Sequence, residues 1–358
     1  MSSPDLRNLN AQRICLIKPS ALGDVVQTLP LLPILREHFP EAHLAWLVNQ
    51  EFGNLLEGHP DLNEIIPFNR RGSWREWWGM LSQLRQSRFD LVFDLQGLLR
   101  TGLMTLASGA ATRVGLESAR EGSRLAYTAT IPDSGRQVPA HLRYWRVAEA
   151  LGKGEFRPRT IVTLSRSDQE FVRSKVSRLR GPILAIHAGA RWKTKQWPIE
   201  SFGAVACRAM RRYGFSVLIV GSQGEAPAAE RLAHLLARFV RGGDLLNLAG
   251  QTTLKQLAGL LQASDLMLSN DSGPMHLAAS LGTPVCSVFT CTSPVRSGPP
   301  GGQHRLIGSE LPCAASYCKV CPNRGPAHLA CMEELAVERV WSGLRQLIEQ
   351  SSGQARSA

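Results

Sequence analysis

The chain has 358 residues, 44% hydrophobic and 20% charged, with eight cysteines. That length and balance suit about two globular domains and exclude a disulfide-held miniprotein, a collagen-like chain and a wholly disordered one. Forty-one Lys and Arg against 29 Asp and Glu leave a net charge of +12, which favours polyanionic partners: phosphorylated ligands, nucleic acid or an acidic membrane face.

Arg13–Ile17 is a short apolar run that predicts a buried strand. Lys18–Asp24 follows as a loop, and Val25–Phe39 has helical apolar spacing interrupted by Pro30 and Pro33. Ala42–Val48 and Glu64–Pro67 predict strands, Trp74–Ser87 a helix, Phe89–Asp94 a strand, and the residues after Thr101 another helix. Gly152–Gly181 is polar and predicts a linker with a short helix. The alternation then restarts. Pro182–Ala188, Phe215–Gly221, Leu245–Leu248, Leu266–Asn270 and Pro284–Phe289 predict strands. Ile199–Tyr213, Ala226–Arg241, Leu254–Ala263 and Pro274–Leu281 predict the helices between them, and Val337–Gln350 a last helix. Alternating strands and helices imply parallel sheets covered on both faces. The expected fold class is therefore α/β with two doubly wound units. A ligand is expected in the cleft between them, beyond the carboxyl ends of the strands. No apolar run approaches the roughly 20 residues that span a bilayer, and Met1–Gln12 has no apolar signal core. A cytoplasmic location is expected.

Four segments are candidates for chemistry. In Ser20–Asp24, Gly23 permits a tight turn and Asp24 opens a helix. Its carboxylate is either a first-turn residue stabilised by the helix dipole or a general base facing the cleft. In Ser269–His276, Ser272 and Gly273 stand at a helix start with Pro274 at a favoured first-turn position, an arrangement suited to a diphosphate. His276 is either packed in the core or part of that site. In Gly189–Pro198, Arg191, Lys193 and Lys195 form either a solvated basic loop or a charge clamp for a departing diphosphate. In Val220–Glu225, Gly221 and Gly224 bend the chain and Glu225 is placed to accept from ribose hydroxyls. No GxGxxG and no GxxxxGK[ST] occurs, so a dinucleotide dehydrogenase or P-loop enzyme is not supported.

Taken in this order, the segments resemble one family, the ADP-heptose:lipopolysaccharide heptosyltransferases of glycosyltransferase family 9, over nearly the whole chain. The pieces that carry the resemblance are Lys18–Pro30, Lys195–Pro198 and Asn270–Ala279. The first is more like the heptosyltransferase I type than the II type. The sequence departs from the family pattern in Arg191–Thr194, where the loop is slightly longer. The resemblance implies a GT-B fold: an acceptor-binding Rossmann-like domain at 1–165, a nucleotide-sugar-binding one at 166–335, and a terminal helix and tail at 336–358, with the helix crossing back to the first domain. It implies inverting, metal-independent heptosyl transfer from ADP-L-glycero-D-manno-heptose to the Kdo/heptose inner core, with no cofactor. Asp24 would be the base and Lys195 would bind the diphosphate. Glu225 would hold the adenosine ribose, and Asp271 the sugar. Ser272, Gly273 and His276 would surround the phosphates. The implied partners are the ADP-heptose donor, a Kdo–lipid A or heptosylated acceptor and the cytoplasmic surface of the inner membrane. The implied state is a monomer that binds no nucleic acid.

The acceptor side is expected in the first domain, with Arg70, Arg71, Gln96 and Arg120 as candidates and Arg100, Arg113 and Arg124 as further cations. Arg70–Trp78 mixes arginines with indoles. It is either a surface for a phosphorylated lipid headgroup or an amphipathic helix packing Trp74, Trp77 and Trp78 on the core. Cys313, Cys318, Cys321 and Cys331 have spacing open to a zinc site, to disulfide pairing or to packed, unligated thiols. Cys15, Cys207, Cys286 and Cys291 are expected as buried thiols. Two other functions remain: transfer to a different surface glycan, and nucleic-acid binding, which only the charge suggests and no zinc-finger, RRM or KH signature supports.

Overall fold

A computed structural model describes residues 6–133, 138–156, 159–239 and 244–354. The chain divides into two units, Met1–Thr163 and Leu164–Ala358. In the first, strands β1 (Arg13–Ile17), β2 (His43–Asn49), β3 (Glu64–Phe68), β4 (Leu91–Asp94), β5 (Thr112–Leu116) and β6 (Ala129–Ile131) form one parallel sheet in the order β3-β2-β1-β4-β5-β6. In the second, β7 (Ile183–His187), β8 (Ser216–Ile219), β9 (Leu245–Asn247), β10 (Leu266–Asn270), β11 (Val285–Phe289) and β12 (Arg305–Gly308) form another, ordered β12-β11-β10-β7-β8-β9 and again parallel.

Both sheets have the same winding. Each runs outward for three strands, returns to the far side of its first strand and runs outward again. The reversal leaves a crevice at the carboxyl ends of the first and fourth strands, where neither connection crosses. Register keeps those ends level: Ile17 pairs with Asp94, and His187 with Ser269. The central strands are apolar throughout because helices cover both faces. Cys15, Ile17, Ala45, Leu47 and Val92 lie in the first core with Met80, Leu84 and Met104 from the helices. Leu184, Ile186, Val217 and Leu268 lie in the second with Phe202, Val205 and Leu232.

The chain departs from expectation in several places. The stretch expected as one helix from Val25 is two, Leu22–Thr28 and Leu31–His38, with the break at Leu29–Pro30. Strands β5, β6 and β12 and helices Gln50–Leu56 and Ala140–Ala150 were not anticipated. Helix Arg166–Val176 fills much of the polar linker. Its capping box is reciprocal: the Ser165 hydroxyl accepts from Asp168 N at 3.1 Å and the Asp168 carboxylate accepts from Ser165 N at 3.1 Å. Residues 240–243, where one expected helix ends, lie outside the described residues. The last helix, Val337–Gln354, packs on the second sheet. Val340, Leu344, Leu347 and Ile348 are buried in the second core, because they form one apolar stripe that fits beside helix Ile199–Tyr213.

Candidate active site

In the first unit, the turn after β1 leads straight into helix Leu22–Thr28, so Asp24 stands one turn from the end of the strand. Its carboxylate accepts from Ala21 N at 3.0 Å and from the Tyr144 hydroxyl at 2.6 Å. The side chain stays 34% exposed, so the carboxylate is held in position and still reaches solvent. Lys18, only 3% exposed, places Nζ 4.0 Å from Asp24 Oδ2 and donates to Leu95 O at 3.2 Å, tying the loops after β1 and β4 together. Burial lowers the Lys18 pKa, while the charges of Asp24 and Asp94 oppose that shift. Burial, and then the charge of Asp24, push the Tyr144 phenol well above its ordinary value, so it stays a proton donor to Asp24.

The β4 end is fixed by a buried carboxylate. Asp94 accepts from the backbone N–H groups of Gln96 and Gly97, both at 3.0 Å, and from Tyr127 OH at 2.8 Å. Burial raises its pKa against those bonds. Gly97 has φ +66°, and a Cβ there would lie 2.9 Å from the Ala119 backbone, so this turn requires glycine. Gln96 Oε1 accepts from Ser20 N at 3.3 Å, which brings Gln96 beside the Asp24 loop. Arg120 N donates to Gly97 O at 2.8 Å, so its exposed side chain starts from the same turn.

The second unit builds a separate cluster at the corresponding crevice. His187, at the end of β7, pairs Nδ1 with Ser272 Oγ at 3.0 Å and Nε2 with Glu225 Oε2 at 3.3 Å. Ser222 donates to the same Glu225 oxygen through its N–H at 2.8 Å and its hydroxyl at 2.7 Å. Burial alone would raise the Glu225 pKa. The hydrogen bond and charge of His187 and the Ser222 donors outweigh it and lower the pKa to about 2. A Cβ on Gly189 would lie 1.9 Å from Glu225 Oε1, so glycine makes room for that carboxylate.

Lys195 Nζ pairs with Asp271 Oδ2 at 2.6 Å, and Thr292 donates to the same oxygen at 2.7 Å. Lys195 is 18% exposed and Asp271 6%. The Lys195 loop is pinned by Asn270, whose Oδ1 accepts from Trp197 N at 3.0 Å and whose Nδ2 donates to Ala188 O at 2.7 Å. Helix Gly273–Ser280 starts beside this pair. The hydroxyl of Ser272, its N-cap residue, bonds His187 and not the helix. His276 is buried one turn further along.

Thus Gln96 bonds the Asp24 loop and the Arg120 backbone bonds the Gly97 turn, while Lys195–Asp271 and Glu225–His187–Ser272 form two hydrogen-bonded groups joined at Asp271–Ser272, with Gly273 next in the chain. Arg70 and Arg71 are exposed in the turn before helix Trp74–Gln86. Arg113 is spent on structure, donating to Ala110 O and Ala126 O. Of the indoles expected on the core, only Trp77 packs there, against Phe68 at 6.0 Å between ring centres. Trp74 and Trp78 are 69% and 61% exposed. All eight cysteines are free thiols, and Cys207 is only half-buried. Among the described residues no group of His, Cys, Asp or Glu is placed to hold a metal ion. Lys18, Tyr144, His187, Asn270 and Thr292 were not singled out from sequence. A histidine closing an otherwise apolar strand was a usable signal for His187. Tyr144 lies 120 positions from Asp24 and had none.

The sequence profile of glycosyltransferase family 9 (heptosyltransferase) matches residues 77–326. The chain is 30% identical over 324 residues to lipopolysaccharide heptosyltransferase 1 of Pseudomonas aeruginosa, covering 86% of this chain and 87% of that one. Among solved structures, a glycosyl transferase family 9 protein from Veillonella parvula aligns with TM-score 0.79 at 21% identity, covering 96% and 98% of the two chains. The E. coli heptosyltransferase WaaC, solved with ADP, aligns with TM-score 0.68 at 21% identity, covering 94% and 99%. The fold is that of the GT-B heptosyltransferases.

Proposed function

The chain belongs to glycosyltransferase family 9, the heptosyltransferases, and from that membership we propose that it transfers heptose from ADP-L-glycero-D-manno-heptose to the Kdo/heptose inner core of lipopolysaccharide. The observation that carries the chemistry is the Asp24 carboxylate, fixed by Tyr144 and Ala21 N yet 34% exposed at a strand's carboxyl end. In this reading, Asp24 takes the proton of the acceptor hydroxyl as that oxygen attacks the anomeric carbon. The bond to the ADP oxygen breaks on the opposite face, so configuration inverts. Tyr144 and Lys18 keep the carboxylate aimed while it gains the proton.

The second unit takes the donor. Lys195 exchanges part of its contact with Asp271 for the diphosphate, and the first turn of helix Gly273–Ser280 adds backbone donors. Glu225 receives the ribose hydroxyls, and Asp271 meets the sugar. With Lys195 and the helix terminus carrying the leaving charge, the step needs no metal. His276, buried beside this turn, shapes the phosphate pocket. On the acceptor side, Gln96 and Arg120 lie nearest the base by chain connection, and Arg70 and Arg71 reach the anionic groups of the acceptor. The protein works as a monomer at the cytoplasmic face of the inner membrane, where its acceptor is anchored.

The test is ADP release on mixing the protein with ADP-heptose and deacylated Kdo–lipid A, with and without EDTA. Release that requires acceptor and survives EDTA is expected. Release abolished by EDTA would overturn metal independence. Donor binding without release would move the acceptor to another glycan.

A further inference from the structure

Helix Leu99–Ser108 is built inside out. Its buried positions are Thr101, Gly102, Met104, Thr105 and Ser108, mostly small or polar. Its outward positions include Leu99, Leu103 and Leu106, which are 53%, 47% and 49% exposed. These leucines are four and three residues apart and so share one side of the helix. A helix facing only water turns its leucines inward and its threonines outward. Here the inward hydroxyls are satisfied locally: Thr101 donates to Leu98 O at 3.0 Å, Thr105 to Thr101 O at 2.8 Å and Ser108 to Thr105 O at 2.6 Å. Gly102 lets the Ser123 backbone approach, 3.0 Å from where a Cβ would stand. The inward face is therefore complete, and the leucines are left outside a well-packed helix.

The apolar face extends to both flanks. Helix Trp74–Gln86 packs alongside, with Met80 and Leu84 in the same core as Met104. Its first two turns expose Trp74 and Trp78. On the other side, Leu125 stands 90% exposed in the turn Ser123–Ala126, which packs on the inverted helix. Nine large apolar side chains are exposed among the described residues, and six of them belong to these three adjoining segments. Scattered exposed leucines need no explanation, but a cluster does.

Arginines frame the cluster. Arg75, Arg100 and Arg124 are exposed and adjoin Trp74, Leu99 and Leu125 in sequence. Two carboxylates stand nearby and keep their charge, Glu76 accepting from Asn69 Nδ2 at 3.0 Å and Glu121 from Leu99 N at 3.2 Å, and the three arginines outnumber them. We propose that this face docks on an anionic bilayer, with leucines and indoles in the interface and arginines at the headgroup phosphates. A second copy docking through the same face would bring two arginine rims together, which like charge disfavours. The choice of a lipid surface over a protein also rests on the proposed lipid-anchored acceptor. The inverted helix starts two residues after Gly97, so the docking face begins at the Gln96 turn beside the Asp24 loop.

The test is co-sedimentation of the full chain with vesicles of phosphatidylethanolamine and phosphatidylglycerol, and with vesicles of phosphatidylcholine alone. The variants are Leu103→Glu/Leu106→Glu and the milder Leu103→Ser/Leu106→Ser, both at exposed sites. The wild type should pellet with the anionic vesicles. The glutamate variant should partition at least about tenfold less and the serine variant less by a smaller factor. Turnover of a deacylated, soluble acceptor should be unchanged in both. Equal partitioning of wild type and variants, no binding to anionic vesicles, or equal binding to both vesicle types would overturn the proposal. So would a wild-type dimer in sedimentation velocity that the glutamate variant dissociates. Vesicle binding without turnover of the soluble acceptor would sink the heptosyl-transfer reading and leave the docking face standing.

Discussion

Glu225 shows how much one side chain depends on its neighbours. Its pKa falls from 4.5 to about 2 because His187 and Ser222 outweigh the cost of burial. A lowered carboxylate stabilises the fold fully above its unfolded value, and that contribution is lost as pH falls toward 2. The shift is worth at most about 3 kcal/mol, and less after screening, since 27% of the side chain is exposed. In urea unfolding, the wild type should lose stability as pH drops from 4.5 to 2. Glu225→Gln should show a flatter profile and sit roughly 1–2 kcal/mol lower at neutral pH. Matching profiles would contradict the assignment. Gly189→Ala is a second test. The added methyl crowds Glu225 away from His187, so ADP affinity should fall about tenfold and the urea midpoint should drop about as far as for Glu225→Gln. Unchanged affinity in calorimetry would remove Glu225 from the proposed donor site.

Among the elements, the strand–loop–helix units at Arg13–Thr28 and Leu266–Ser280 were readable because each joins a continuous apolar run to turn residues and a helix start. The candidate residues Asp24, Asp271, Ser272, Gly273 and His276 were named from those loops. Tyr144 and Thr292 reach the carboxylates of Asp24 and Asp271, and His187 the Ser272 hydroxyl, from other elements, and nothing in local spacing announces such pairings. Strands β5 and β12 were missed because Arg113, Gly115, Arg305 and Gly308 break their apolar runs, and β6 because it is three residues long. The inverted helix Leu99–Ser108 was placed, but its leucines invite the wrong inward face. The last helix was placed, and its apolar stripe was legible, but such a stripe does not name the surface it covers. Leu344, fully buried in that stripe, gives the prediction for this element. Leu344→Ala should cost roughly 2–5 kcal/mol, read as a lower urea midpoint for the second unit, while fluorescence from the first unit's indoles reports no earlier transition. A loss under about 0.5 kcal/mol would mean the helix is not part of that core.

The whole molecule repeats one winding twice and puts different chemistry at each crevice. Unit one presents a fixed carboxylate beside a buried lysine. Unit two presents a lysine–aspartate pair, a histidine-held glutamate and a helix start. The net charge of +12, which alone left nucleic acid open, suits a nucleotide diphosphate, an anionic core sugar and an anionic bilayer. No described helix is long and apolar enough to cross a membrane. The most direct measurement compares turnover and ADP affinity for wild type and Asp24→Asn, using ADP-heptose and soluble Kdo–lipid A core. The variant keeps the shape of the side chain and the Ala21 and Tyr144 contacts within reach. Turnover should fall by about a hundredfold or more with ADP affinity unchanged, as expected for loss of a general base. Turnover within about tenfold of wild type would show that Asp24 is not the base and contradict the proposed mechanism.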